Sequence, residues 1–109
     1  MDKRRVFRSK AEAYSGGPQW PREIFTLLLE KSGFDPTDKQ AIKNLVAVDV
    51  GAGTGNTAFP LADLGCTVIA VEPNKPMLEK LIALKAAGGY DNVIPTDGDA
   101  MDLKIPDEY

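Results

Sequence analysis

Gly51, Gly53 and Gly55 occupy alternate positions in "VDVGAGTG", after a valine-rich run and before a segment with helical apolar spacing. One glycine suffices for a tight turn, whereas three let main chain approach a ligand with no side chain intervening. A carboxylate, Asp49, stands two residues before the first glycine, and a second, Glu72, ends the apolar run "VIAV". A carboxylate at a strand tip can accept both hydroxyls of a ribose, at about 1.5 to 3 kcal/mol per hydrogen bond to a charged acceptor. The chemistry on offer is ligand recognition. The chain has no histidine, and no Cys, Asp or Glu outside this set has the setting of a general base, so the catalytic residues are left unassigned.

The spacing discriminates among glycine loops. A dinucleotide fingerprint needs glycine at the first, third and sixth positions, but the sixth is Asn56. A phosphate-binding P-loop needs lysine followed by serine or threonine, and neither follows here. A zinc site is not expected from one cysteine and no histidine, so the metal assignment is none.

The glycines need a strand before them and a helix after. Leu45 to Val50 reads as a strand buried on both faces, and Asn56 to Leu64 as a helix with Pro60 near the end of its first turn. Cys66 to Val71 predicts a second strand. "NKPMLEKLIALKAAGG" predicts a helix with Met77, Leu78, Leu81, Ile82 and Leu84 as its apolar stripe, and Val93 and Ile94 a short third strand before a trailing loop. Upstream, Pro21 opens a helix that Gly33 closes, while Asp35 to Asn44 is polar and ambiguous. The alternation implies a parallel sheet with right-handed crossovers. Ligands bind at the carboxyl ends of such strands, where the glycines lie.

With 109 residues, 43% hydrophobic and 27% charged, the chain has room for one globular domain or part of one. We divide it into a basic N-terminal arm and leading loop over residues 1–20 and a domain over 21–109. The net charge of -3 argues against a broad nucleic-acid footprint; the basic cluster Lys3, Arg4, Arg5, Arg8 and Lys10 is local and reads as a solvated arm or an anion contact. Cys66, alone in an apolar run, implies a reducing, cytoplasmic setting. No apolar run approaches the roughly 20 residues of a membrane span.

"VDVGAGTG" resembles the glycine loop of class I S-adenosylmethionine-dependent methyltransferases, and two further matches follow in order: Glu72 in "VIAVEPNKPML" and "GDAMDL" from Gly98 to Leu103. The resemblance implies a Rossmann-like parallel sheet with flanking helices, incomplete, holding the first three strands of a seven-stranded fold. It implies S-adenosyl-L-methionine as cofactor, bound by Asp49, Gly51, Ala52, Gly53, Gly55, Glu72, Pro73, Asp99 and Ala100. Glu72 would take the ribose and Asp99 the adenine amino group, with Asp97 and Asp102 as alternatives. Tyr14 and Trp20, in "YSGGPQWP", are candidates for covering the cofactor or acceptor.

The implied activity is methyl transfer to a small-molecule acceptor. A noncatalytic nucleoside-binding or interaction module is the alternative, and an NAD-dependent oxidoreductase is disfavoured by Asn56. The family's strand order puts Leu45 to Val50 at the centre, beside a strand this chain does not supply. An open edge there would favour self-association or a complementing chain.

Overall fold

The computed structural model describes residues 4–8, as a strand path, and residues 21–98. Four strands form one sheet: β1 (Arg4–Arg8), β2 (Val46–Val50), β3 (Thr67–Glu72) and β4 (Val93–Asp97). They lie in the order β1-β2-β3-β4, every neighbouring pair parallel. Four helices complete the described part: α1 (Arg22–Lys31), α2 (Lys39–Lys43), α3 (Ala58–Asp63) and α4 (Lys75–Gly88). The architecture is the Rossmann-like parallel sheet with flanking helices.

Successive residues in a strand face opposite sides. In the two central strands Ala47, Val68 and Ala70 therefore share one face, and Val48, Val50, Ile69 and Val71 the other. Both sets are buried, as a parallel sheet requires. The Ala47 face carries the larger core, joined by Phe25 and Leu29 of α1, Ile42 of α2, Ala58 and Leu61 of α3, and Leu81 of α4. By the same alternation Asp49 and Glu72 lie on this face, toward the carboxyl ends of their strands.

The N-terminal segment departs from expectation. Residues 1–20 read as an arm, and the outer edge of the central strand as open; instead Arg4–Arg8 pairs along it in register from Arg4↔Val46 to Arg8↔Val50. The physical reason is that β2 needs main-chain partners, which any extended segment can supply. Three arginines in five residues hide such a strand from a search for apolar runs. The three other strands fall where the pattern puts them, with β4 extending to Asp97 rather than stopping at Ile94.

Helix ends follow local chemistry. The Asn74 side chain accepts the Met77 N–H at 3.1 Å to start α4, and Gly89 at φ 68° ends it. Helix α3 begins at Ala58, two residues later than its sequence suggests. Pro60 falls between two i→i−4 bonds, Phe59 N–H to Gly55 O at 3.0 Å and Leu61 N–H to Thr57 O at 3.1 Å, so it omits the one bond that would reach Asn56, in the first turn where the loss costs least. The expected stripe of α4 is only partly used: Leu81 is buried, while Ile82 and Leu84 are 48% and 41% exposed. The ambiguous segment contains α2, capped by the Asp38 carboxylate accepting from Ala41 N–H at 3.1 Å. Among the described residues, no helix is long and apolar enough to cross a membrane, and no group of three or more His, Cys, Asp or Glu is placed to hold a metal.

Candidate functional site

The glycine turn is anchored to the end of the neighbouring strand. Gly51 and Ala52 both donate their N–H groups to the carbonyl of Val71, at 2.8 and 2.9 Å. The next donor reaches one residue further: Gly53 N–H donates to Glu72 Oε1 at 2.6 Å. The other carboxylate oxygen, Oε2, accepts the Asn74 N–H at 2.8 Å. Glu72 is only 5% exposed, so these charge-assisted bonds compensate its removal from water. A carboxylate has about four lone-pair sites, and the two bonds leave others for a ligand.

The glycines divide the work. Gly53 has φ 60° and is buried, yet a Cβ built on it would meet no described atom within 4 Å. Among the described residues the main chain is thus bare beside a gap. Gly55 is the reverse case: at φ 103°, its Cβ would overlap the ring of Phe59 and come within 3.1 Å of Leu81 Cδ1. Its missing side chain admits the first helical turn against the loop. Gly53 is suited to a ligand and Gly55 to packing.

The structure brings Gly51, Ala52, Gly53 and Glu72 together. Asp49 is fully buried on β2, its Cα paired in register with Ala70, two residues before the turn. Pro73 is exposed just beyond Glu72. Of the candidate acids for the adenine, Asp97 is exposed and is the register partner of Glu72 on β4. Asp99, Ala100, Asp102, Tyr14 and Trp20 lie outside the described residues. Sequence reasoning assigned Glu72 to the ligand alone and missed its bonds to Gly53 and Asn74. The available signal was an acid placed two residues before an Asn helix cap.

The methyltransferase-domain family model matches residues 47–109, more than half of the chain. An uncharacterized methyltransferase of Geobacillus sp. (strain WCH70) is 38% identical over 61 residues, which cover 56% of this chain and 27% of that protein. A tRNA (guanine-N(7)-)-methyltransferase of Corynebacterium efficiens is 38% identical over 58 residues, covering 51% and 23% of the two chains. Among solved structures, the CcbJ methyltransferase from Streptomyces caelestis matches with a TM-score of 0.51 and 44% identity, over 56% of this chain and 26% of that one. The YcgJ protein from Bacillus subtilis matches with a TM-score of 0.52 and 32% identity, over 57% and 26%. The chain spans about a quarter of the length of these relatives. The family match over residues 47–109 shows that the chain belongs to the class I S-adenosylmethionine-dependent methyltransferases.

Proposed function

We propose that this chain is the S-adenosylmethionine-binding portion of a methyltransferase that acts on a small-molecule acceptor. The observation that carries the reading is the Glu72 carboxylate, buried at a strand tip and bonded to the N–H of Gly53 beside a gap a Cβ would enter. Those residues fit the cofactor. Glu72 would hold the ribose hydroxyls, Gly53 would offer bare main chain next to Gly51 and Ala52, and Asp49 would stand toward the methionine end. When bound, the cofactor supplies an electrophilic sulfonium methyl. The protein's contribution is alignment and exclusion of water, and a general base is needed only for acceptors that lose a proton on transfer.

The net charge of -3 favours a small acceptor over a polyanion. The relative named for tRNA guanine methylation makes RNA the necessary second arm of any acceptor screen. Calorimetry with S-adenosylmethionine, S-adenosylhomocysteine and NAD side by side tests the cofactor reading. Binding of the two adenosyl ligands in preference to NAD is expected; NAD binding as tightly or more tightly overturns it.

A further inference from the structure

Among the described residues β4 pairs with β3 alone, so its other side is an edge of the sheet. Along a parallel strand the N–H and C=O of alternate residues turn to opposite neighbours. The Asn92 carbonyl accepts the N–H of Val68, the register partner of Val93, at 2.8 Å and so faces β3. By that alternation Ile94 and Thr96 turn their main-chain groups toward β3, while Val93, Pro95 and Asp97 turn theirs to the edge. The edge is short of donors. The Val93 N–H donates back to the Tyr90 carbonyl at 3.3 Å, in the turn that enters the strand, and Pro95 has no N–H. Of the outward residues only Asp97, the last of β4, keeps an N–H for a partner.

The phase of the proline is what matters. At Ile94 or Thr96 it would break the ladder to β3, whereas at position 95 it costs the sheet nothing and falls in the middle of the exposed side. A second copy that laid its own β4 antiparallel on this edge would do so across a two-fold axis. With the axis at position 95, the two residues 95 face each other as the pair that would exchange two N–H to C=O bonds, and Val93 faces Asp97 of the second copy. Proline removes both central bonds at once and puts a ring carbon where each hydrogen would be. We propose that Pro95 terminates the sheet at β4, so that a second copy of this chain cannot extend it edge to edge. The inference is independent of the cofactor reading.

The test compares the native chain with Pro95→Val and Pro95→Thr, which restore the outward N–H with side chains favoured in strands. Thr96→Val is the control, since it adds an apolar branched side chain next door and frees no donor at the edge. Sedimentation over a range of concentrations reads self-association, and thermal unfolding shows that each variant is folded. Two added ladder bonds correspond to about tenfold in an association constant. Both Pro95 variants should therefore reach a given average mass at about tenfold lower concentration than the native chain or Thr96→Val, and dilution should reverse the change. Amide exchange by NMR should place the contact, with the N–H at position 95 slowing as concentration rises. Association of the Pro95 variants no stronger than that of the native chain, equal association by Thr96→Val, or an N–H at position 95 that exchanges equally fast at all concentrations overturns the proposal.

Discussion

Glu72 and Gly53, nineteen residues apart, are joined by a 2.6 Å hydrogen bond from the glycine N–H to Oε1 of the buried carboxylate. The residue proposed to hold the ribose is also the brace of the turn, since its second oxygen takes the N–H of Asn74 just ahead of α4. A substitution there acts on shape as well as on contact. Glu72→Gln keeps one acceptor but points an NH₂ at the other N–H donor, and Glu72→Ala loses both bonds. We expect each variant to lose stability by about 1 to 3 kcal/mol, the cost of leaving a buried donor unsatisfied. Binding of S-adenosylhomocysteine to folded Glu72→Ala should also weaken by about 1.5 to 3 kcal/mol. Thermal unfolding and calorimetry read the two effects separately; unchanged affinity removes the ribose assignment, and an unchanged melting temperature removes the brace.

The two later glycines of the turn should fail differently. Gly53→Ala meets no described atom, so its structural cost is that of a left-handed backbone, about 1 to 2 kcal/mol. Gly55→Ala carries the same kind of cost and must also displace the Phe59 ring and Leu81. Unfolding in urea should therefore rank Gly55→Ala below Gly53→Ala. Ligand affinity should separate Gly53→Val from Gly53→Ala, because a branched side chain would fill the gap beside the turn. Equal affinity of that pair would count against close approach of a ligand to the main chain.

Cys66 makes stability depend on alkaline pH. Its thiol is fully buried and donates to the Leu61 carbonyl at 3.2 Å, and burial pushes its pKa from 9.0 up to about 11. The folded state thus holds the neutral thiol where an unfolded chain would already have lost its proton. The contribution is fully present below pH 9.0 and falls away as pH rises toward about 11. Tyr90 acts in the same direction, because its hydroxyl must stay protonated to donate to Asp63 and its pKa is raised by that bond. Urea unfolding across this range should show a steeper loss of stability for the native chain than for Cys66→Ala. Parallel curves would mean the thiol titrates no differently in the two states.

What was legible in the sequence depended on side-chain chemistry. The three strands after residue 44 announce themselves by valine and isoleucine, and the glycine turn by its spacing, because burial on both faces and a bare main chain each demand particular residue types. Helix α4 was placed by the segment from Asn74 to Gly89, whose ends the structure reproduces to within a residue. The pairing of Arg4–Arg8 was not, since a strand that serves a neighbour through main-chain groups leaves no apolar pattern when three of its five residues are arginine. The bracing role of Glu72 was hidden for a related reason: its partners are backbone N–H groups, which every residue but proline carries.

The pairing of β1 with β2 changes what is expected of the chain in solution. An uncovered β2 would present unsatisfied N–H and C=O groups beside Val46, Val48 and Val50, a template for another chain. With Arg4–Arg8 laid along that edge over five register pairs, β2 is flanked on both sides, and the exposed edge passes to a short strand rich in positive charge. Short charged edges resist further strand addition. The full chain should therefore remain monomeric on concentration, and the alternate β2 amides that face β1 should exchange slowly with solvent. Deleting residues 1–8 should speed exchange at those amides, leave the β2 amides facing β3 better protected, and raise the scattering mass with concentration. Equal exchange on the two sides of β2 in the full chain, or association that is the same with and without residues 1–8, would show that β1 does not seal this edge in solution.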